Sequence, residues 1–355
     1  MPTVSQLASE DVPAKRNVKE NFHLFENVES SVIVQSGIVL TAQFEIVEDV
    51  KKIMLQLHNF NSNTKTEHYL AHPILNTEPF NACFVFNGDK GYFFAFCASV
   101  FVQELIFNPL TQCIELGGQH VWDFQSWSVH CTSNQLILGN TETNNTLEIF
   151  SINDDGSIGE RTTQNIPMCH EIIDIRILKK DWVMLSINYI GHRQMCLFRI
   201  DSSECEVLPL SLNPATLLMD YNEETEKVCF FASQSYENEV YYIELTFTDD
   251  GSYETQYFFV QHDGEYMNVD GFTSITDYFV DHTSMIGYKI DHIDREQTTA
   301  HVKSFTVMDN PVFDDDQRKF VMLYPAKALG DEFLMYYGWE TDTMNIGYVY
   351  GKISV

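Results

Sequence analysis

The sequence predicts an all-β protein assembled from one repeated four-stranded unit. Six segments read as a strand, a tight polar turn and a returning strand. In LEIFSINDDGSIGER, residues 147–161, the turn is Asp154-Asp155-Gly156. The six turns lie near residues 61, 109, 154, 203, 250 and 294, a spacing of 44 to 49 residues. Such a spacing is typical of radial four-stranded blades, and the predicted fold is a single seven-bladed β-propeller.

The predicted strands can be placed in order along the chain. The hairpins are IMLQLHNFNSNTKTEHYL from Ile53, VQELIFNPLTQCIEL from Val102, the segment already quoted, MCLFRIDSSECEVLPL from Met195, VYYIELTFTDDGSYETQYFF from Val240 and IGYKIDHIDREQTTAHVKSF from Ile286. Between hairpins lie two further short apolar segments, such as ACFVFNGDKGYFFAF and TLLMDYNEETEKVCFFAS, each broken by a polar or Gly-containing turn. EIVEDVKKIMLQL has helical spacing but continues into a repeat-matched strand, so a loop followed by a strand is predicted there.

The last unit is one strand short. IGYVYGKISV, from Ile346, reads as its third strand, and the chain ends at Val355 with no room for a fourth. A strand from the other terminus would close the ring and remove a free sheet edge. ENFHLFENV, residues 20–28, alternates apolar and polar residues and is predicted to pair with the strand from Ile346. Residues 1–18 are then a disordered N-terminal arm, and residues 19–355 form the propeller.

In repeat period, strand count and terminal closure, the chain resembles the WD40-type β-propeller superfamily over about residues 20–355. The only Trp-Asp pair, Trp122-Asp123, is predicted to lie in an inner strand, so it is not the signature dipeptide of that family. The side-chain network of regular WD repeats is therefore not expected. The degenerate repeats look more like the divergent propellers of adaptor and scaffold complexes.

Composition restricts the class of partner. The chain has 51 Asp and Glu against 21 Lys and Arg, a formal charge of -30. Such a field repels nucleic acid and anionic lipid, so neither is an expected partner, whereas basic proteins are favoured. The eight cysteines are scattered without a C-x-x-C pair and are predicted to be reduced. The first 20 residues lack an apolar signal region, which predicts an intracellular protein, nuclear or cytoplasmic.

The sequence carries no strong catalytic signal. It lacks G-x-S-x-G, P-loop and dinucleotide-binding motifs. The twelve histidines are dispersed and are expected to be structural or solvent-exposed. Two groups of three each lie in or beside one hairpin, namely His58, His68 and His72, and His282, His292 and His301. No metal or cofactor is predicted. The alternative function is a hydrolase-type propeller enzyme with its site in the central channel, where Asp174, Asp220 and Asp270 are the charged exceptions among apolar inner strands.

The leading hypothesis concerns one face of the disc. With the strands of each blade named a to d from the axis outwards, the b–c and d–a connections share one end, which we call the upper face. Carboxylates and aromatic residues dominate it, and together they can bind Arg and Lys by charge-assisted hydrogen bonds and cation–π attraction of about 0.5 to 2 kcal/mol. The candidate partner-binding residues are Tyr189, Tyr236, Glu237, Asp263, Glu265, Tyr266, Asp314, Asp315, Asp316, Trp339, Glu340 and Asp342.

These residues predict a non-catalytic interaction scaffold or adaptor, or a chaperone-like protein, that binds a basic segment within a multi-protein complex. The segment VMDNPVFDDDQRK is about ten residues longer than the repeat requires, and long loops on rigid scaffolds often carry function. Two alternatives stay open at this stage. The carboxylates are also compatible with a merely solvated surface. Tyr189 and Trp339 are equally compatible with packing between blades.

Overall fold

The computed structural model describes a chain built almost entirely of strands. The residues it describes are 23–26, 28–47, 50–76, 81–126, 128–132, 134–143, 145–167, 169, 171–179, 182–189, 192–200, 202–208, 212–213, 217–218, 221–222, 227–234, 239–248, 252–267, 272–275, 278–281, 286–306, 319–329, 332–340 and 344–352. One short 3-10 helix, Pro73–Asn76, interrupts the strands of this part of the chain. None of its helices is long and apolar enough to cross a membrane.

The first strands in the chain form three four-stranded antiparallel sheets and begin a fourth. They are β1 (His23–Glu26), β2 (Ser30–Gln35), β3 (Ile38–Val47), β4 (Val50–Asn59), β5 (Thr64–Leu70), β6 (Asn81–Asn87), β7 (Lys90–Phe96), β8 (Val100–Asn108), β9 (Cys113–Trp122), β10 (Val129–Cys131), β11 (Gln135–Asn140), β12 (Thr146–Ile152) and β13 (Ile158–Asn165). Each sheet follows chain order, as β2-β3-β4-β5, β6-β7-β8-β9 and β10-β11-β12-β13. Strictly sequential antiparallel order is the meander expected of a propeller blade.

The remaining strands are arranged differently in the middle and at the end of the chain. They are β14 (Glu171–Lys179), β15 (Trp182–Tyr189), β16 (His192–Arg199), β17 (Glu204–Val207), β18 (Leu212–Asn213), β19 (Leu217–Leu218), β20 (Tyr221–Asn222), β21 (Lys227–Gln234), β22 (Val240–Phe247), β23 (Tyr253–His262), β24 (Glu265–Tyr266), β25 (Phe272–Ile275), β26 (Tyr278–Asp281), β27 (Ile286–Asp294), β28 (Thr299–Thr306), β29 (Lys319–Leu329), β30 (Glu332–Glu340) and β31 (Met344–Lys352). β14 to β17 form another four-stranded meander, whereas β18 to β28 form one sheet of eleven strands.

The eleven-stranded sheet contains two successive meanders that are joined at both edges. β23 and β28, the outer strands, pair in parallel from Phe259 opposite Thr299 to His262 opposite Val302. On the inner side, β19 pairs in parallel with β25. The chain is thus an all-β propeller, as the sequence predicts. The count of seven blades stays a prediction, because β18 to β28 share one continuous sheet.

The ring closes through the N-terminal strand. β1 pairs antiparallel with β31, from His23 opposite Tyr350 to Glu26 opposite Gly347, and the sheet order is β1-β31-β30-β29. The predicted pairing of the segment around residues 20–28 with the strand from Ile346 is therefore confirmed for His23–Glu26. Residues 1–22, which include the predicted arm, lie outside the described residues, so the domain boundary remains a prediction.

The c–d turns near residues 61, 109, 154, 203 and 294 lie where the sequence predicts them, and Asx side chains hold several of them; the predicted turn near residue 250 lies outside the described residues. The side-chain oxygens of Asn59, Asn108 and Asp294 each accept hydrogen bonds from two backbone N–H groups of the following turn. A left-handed residue, with φ between 52° and 57°, then ends each of four turns: Asn63, Gln112, Ser203 and Thr298. The local sequence thus determines these turns, because an Asx side chain mimics a backbone turn and a left-handed residue redirects the chain.

The hydrophobic core is divided into layers between neighbouring sheets. Leu55 of β4 and Phe93 of β7 are buried in one layer, and Phe94 of β7 and Leu138 of β11 are buried in the next. Adjacent residues of β7 therefore face the sheets on opposite sides of it, because side chains alternate across a strand. A sheet that is covered on both faces needs apolar residues at both phases of this alternation. This requirement explains the continuous apolar runs in the middle strands.

Two expectations about individual residues are wrong. Trp122 ends the outer strand β9 rather than lying in an inner strand, and its ring stacks on Phe150 at 4.0 Å between neighbouring sheets. Cys196 and Cys205 form a disulfide, whereas all eight cysteines were expected to be reduced. They lie on the paired strands β16 and β17. Cys205 is opposite Phe198, two residues from Cys196 on the same side of β16, so antiparallel pairing brings the two sulfurs into reach.

The other six cysteines are thiols, as expected. The disulfide removes one argument for a reducing compartment, because disulfides are rare in the cytosol and nucleus. The predicted intracellular location therefore rests on the N-terminal sequence alone and remains a prediction. The segment with helical spacing, residues 45–57, contains no helix among its described residues: β3 ends at Val47 and β4 begins at Val50. This part of the prediction is confirmed.

Candidate functional site

Three of the predicted binding residues lie on one tight hairpin of the upper face. Asp263 and Gly264 connect β23 to β24 with φ values of 51° and 83°, which is the two-residue type I′ geometry that Asp-Gly favours. Glu265 pairs with His262 and Tyr266 pairs with Gln261. The Asp263 side chain is 90% exposed and Tyr266 is 60% exposed. We call residues 262–266 the acidic hairpin; it presents two carboxylates and one aromatic ring to solvent.

Backbone hydrogen bonds fix the base of the acidic hairpin. Met267 N donates to Val260 O at 2.9 Å, and Val240 N donates to Met267 O at 3.4 Å. On the other side of β23, Phe259 N donates to Thr298 O at 2.9 Å, where the parallel pairing with β28 begins. The hairpin is therefore held by strands on both sides, and little conformational entropy would be lost when a partner binds.

Aromatic rings continue from the hairpin across the sheet. The Tyr266 ring meets Phe259 edge-on with centroids 5.5 Å apart, and Phe259 lies 4.7 Å from Tyr241. The Tyr241 hydroxyl donates to Glu239 Oε2 at 2.8 Å. Carboxylates thus lie at both ends of a row of three rings, beside Tyr266 and beside Tyr241. Such a row can accept a cation over an aromatic face while a carboxylate neutralises its charge.

The remaining predicted residues are described only in part. Tyr189 ends β15 opposite His192, and Trp339 and Glu340 end β30 near its connection to β31. Their backbones therefore lie at the b–c end of their sheets, where the topology predicts them, but their side chains are outside the description. Six other candidates lie outside the described residues altogether: Tyr236, Glu237, Asp314, Asp315, Asp316 and Asp342. The candidates whose side chains the structure describes are Asp263, Glu265 and Tyr266, and these three lie together on one hairpin.

Sequence reasoning missed a set of buried carboxylates on the third strands of their sheets. Glu148 of β12 is 1% exposed and accepts hydrogen bonds from Asn140 Nδ2 at 2.9 Å, Arg161 Nε at 2.9 Å and Thr163 Oγ1 at 2.7 Å. Burial raises the pKa of Glu148, but these hydrogen bonds outweigh it, and the net shift of the pKa is downward. This carboxylate is therefore ionised inside the protein and satisfied by its own sheet.

Related carboxylates join segments that are distant along the chain. Glu104 of β8 accepts from His120 Nε2 at 2.8 Å and from Ile158 N of the next sheet at 3.1 Å. Glu244 of β22 accepts two bonds of 3.0 Å from Arg295, which lies in the turn between β27 and β28. The signal in the sequence is a Glu within an apolar third strand, as in QELIF, LEIF and IELTF. These charges stabilise the fold and are not available to a partner.

A cavity lies at the opposite end of the sheets from the acidic hairpin. A cavity of about 370 Å³ opens between the β6–β7 turn and the β12–β13 turn. Its lining residues are Asn87, Asp89, Lys90, Tyr92, Thr132, Ile152, Asn153 and Asp154. The Lys90 ammonium donates to the Asp154 backbone oxygen and the Tyr92 hydroxyl to Gly156 O at 2.8 Å, so polar groups here already join two sheets.

The catalytic alternative gains no support from the described residues. Within the ranges given above, no group of three or more His, Cys, Asp or Glu side chains is placed to hold a metal ion. Asp174 lies on β14, but its side chain is outside the description, and Asp220 and Asp270 lie outside the described residues. The catalytic alternative, which requires these carboxylates to converge on a channel, therefore stays an untested hypothesis.

Comparison with known proteins supports the propeller architecture. No protein-family model and no curated protein matches the chain. The solved structure of the RRP9 WD40 repeats is similar, with a TM-score of 0.52 and 8% identity over 94% of this chain and 98% of that one. At this identity the likeness shows the fold alone.

Two weaker similarities carry no argument, because their TM-scores are below 0.5. Hydrazine synthase of Kuenenia stuttgartiensis has a TM-score of 0.45 and 9% identity over 79% of this chain and 80% of that one. Raptor of Chaetomium thermophilum has 0.47 and 8% identity over 92% of this chain and 28% of that one.

Proposed function

We propose that this chain, which has the WD40-like β-propeller fold, is a non-catalytic interaction scaffold or adaptor that binds a basic segment of a protein partner. The binding surface is the upper face, with the acidic hairpin as its described part. Proteins of this fold carry their functions on loops at the ends of rigid sheets. The similarity to WD40 repeats supports a scaffold in general, and the basic character of the partner is inferred from the charge of this chain.

The observation that carries the proposal is the exposure of Tyr266 between carboxylates on a fixed hairpin. Carboxylates such as Glu148 and Glu244 are buried and paired internally, whereas Asp263 and Glu265 are exposed and adjacent to the exposed ring. A Lys or Arg side chain over Tyr266 would gain cation–π attraction and a carboxylate partner at once. Exposed ion pairs contribute little alone, so the aromatic ring is expected to supply most of the affinity.

The proposal is tested by binding of a fluorescent peptide of alternating Arg and Gly to the full chain, followed by anisotropy and stopped flow. Tyr266→Ala should weaken binding about tenfold, chiefly through faster dissociation, because an anchor is lost. Asp263→Asn with Glu265→Gln should chiefly slow association at about 0.1 M salt, where the screening length is about 10 Å. Both variants should melt at the wild-type temperature, because the substituted side chains are exposed.

Asp154→Asn with Asp155→Asn is the matched control, since it removes two exposed carboxylates from the opposite end of the sheets. This variant should bind the peptide nearly as well as the wild type. If the control and the hairpin variant weaken binding equally, the peptide responds to net charge and the upper face is not a site. If no variant changes binding, the acidic hairpin is not the binding surface.

Further residues of the upper face are assigned to the same surface. We propose Trp339 as a second anchor, flanked by Glu340 and Asp342, and the acidic run Asp314–Asp316 as an electrostatic contact. Trp339→Ala should raise the dissociation rate of the same peptide without unfolding the chain. Unfolding of that variant would instead place Trp339 in the core between blades. Replacing Asp314, Asp315 and Asp316 by Asn should weaken binding at physiological salt, and unchanged binding would exclude this loop.

A further inference from the structure

A β-bulge in β27 places two histidines opposite each other on the paired strands β27 and β28. Pairing with β28 matches Ile290 with Val302 and then His292 with His301, so Asp291 is an extra residue in the strand. Without the bulge, continued pairing would set His292 against Ala300. Bulges redirect side chains and are frequent beside functional sites. This irregularity therefore creates the histidine pair.

The two imidazole rings are in direct contact. Their centroids are 4.3 Å apart and their planes are inclined by 14°. The His292 side chain is 61% exposed, so one side of the pair is open to solvent. Rotation about the bonds that attach the two rings can bring one nitrogen of each to about 2.0–2.1 Å from a shared ion, the usual length of a metal–imidazole bond.

Hydrogen bonds leave a nitrogen of each ring available as a ligand. Asp291 Oδ2 lies 3.3 Å from His292 Nδ1, and an ionised carboxylate only accepts, so Nδ1 carries the proton and Nε2 keeps its lone pair. A carboxylate that holds the second nitrogen of a histidine is the usual support of a metal ligand. Thr299 Oγ1 lies 3.4 Å from His301 Nε2 and can accept a hydrogen bond from its N–H group, which leaves Nδ1 of that ring as a ligand.

The positive charge next to Asp291 opposes an ion at this place. The Lys303 ammonium contacts Asp291 Oδ1, and its side chain is 74% exposed. The carboxylate therefore lies between this ammonium and the ring of His292, and it offsets part of the repulsion that a metal ion would meet. Because the lysine side chain is long and exposed, it can also turn away into solvent.

We propose that His292 and His301 form a surface site for a divalent transition-metal ion that favours imidazole, such as Cu²⁺ or Zn²⁺. Asp291 positions His292, and the other coordination positions are open to water or to side chains of a bound protein. Imidazole suits these metals, and Cu²⁺ binds a given set of nitrogen ligands most tightly in the first-row series. The site shares no residue with the acidic hairpin, although His301 of β28 lies opposite Gln261 of the adjoining strand β23, and it does not depend on the proposed function.

The test is Cu²⁺ titration of the full chain, by calorimetry and by electron paramagnetic resonance. The wild type should bind one equivalent tightly, with hyperfine structure from two nitrogens. His292→Gln and His301→Gln should each weaken this binding at least tenfold and reduce the signal to one nitrogen. Asp291→Asn should weaken it by about tenfold while two nitrogens remain, as expected of a positioning residue.

His68→Gln is the matched control, because His68 lies on the outer strand β5 opposite Leu55 rather than opposite a second histidine. This variant should bind Cu²⁺ like the wild type. Circular dichroism melts should show that all four variants keep the wild-type fold. Equal binding by wild type, His292→Gln and His301→Gln would overturn the proposal, and so would a wild-type spectrum with a single nitrogen.

Discussion

Acid should loosen the ring closure through His58. This side chain is 7% exposed; its Nε2 lies 3.3 Å from Thr41 Oγ1, and its ring meets Phe25 of the N-terminal strand edge-on at 5.0 Å. The His23 ring of the same strand stacks on Phe60 at 4.0 Å. Burial, followed by the charge of Lys65, lowers the pKa of His58 from 6.5 to about 4. The closing strand therefore packs against a neutral imidazole.

The magnitude follows from proton linkage. Below its ordinary pKa of 6.5, His58 of the unfolded chain takes up a proton, whereas in the folded chain it stays neutral until about pH 4. Its contribution to stability is therefore complete above pH 6.5 and is lost as the pH falls towards 4. The loss is about 2 kcal/mol at pH 5 and about 3 kcal/mol at full protonation. Burial also lowers the pKa of His23, so its effect has the same sign.

The assay is urea unfolding of the wild type and of His58→Phe at about pH 7.5 and about pH 5. Phe retains the aromatic packing but cannot be protonated, so the acid-induced loss of unfolding free energy should be about 2 kcal/mol smaller in the variant. His68→Phe, on the adjacent strand but outside this aromatic cluster, controls for the removal of a histidine. An identical pH dependence in wild type and His58→Phe would show that His58 does not remain neutral in the folded protein.

Three other perturbations test the described contacts. Glu148→Ala leaves three donors without their acceptor and should lower the unfolding free energy by about 2 to 3 kcal/mol; a loss below about 0.5 kcal/mol would contradict the assigned network. Arg295→Ala leaves the Glu244 carboxylate buried beside one more distant cation and should cost about 2 kcal/mol, measured by the same unfolding curves, and a neutral result would exclude this link between β22 and the β27–β28 turn. Deletion of residues 1–28 removes β1 and should cause aggregation detectable by light scattering, whereas deletion of residues 1–15 should leave the melting temperature unchanged; a soluble, stable 1–28 deletion would show that β1 is dispensable.

Much of the fold could be predicted because its signals are local. Alternation of apolar and polar residues defines the strands, and the turn after Asn59 is encoded within a few residues by an Asx side chain and a left-handed Asn63. The repeat spacing and the missing last strand required β1 at His23–Glu26, which the structure confirms. The Asp263-Gly264 turn likewise follows from its own sequence.

The sequence alone thus determined the all-β class, the described c–d turns and the closing strand, since each depends on neighbouring residues or on counting repeats. Only the tertiary structure decided which charges are buried, that β23 pairs in parallel with β28, that Cys196 bonds to Cys205 and that His292 faces His301. The physical reason is that burial, strand register and bulges depend on contacts between segments distant along the chain. A carboxylate such as Glu148 looks like any surface charge until three donors from its own sheet surround it.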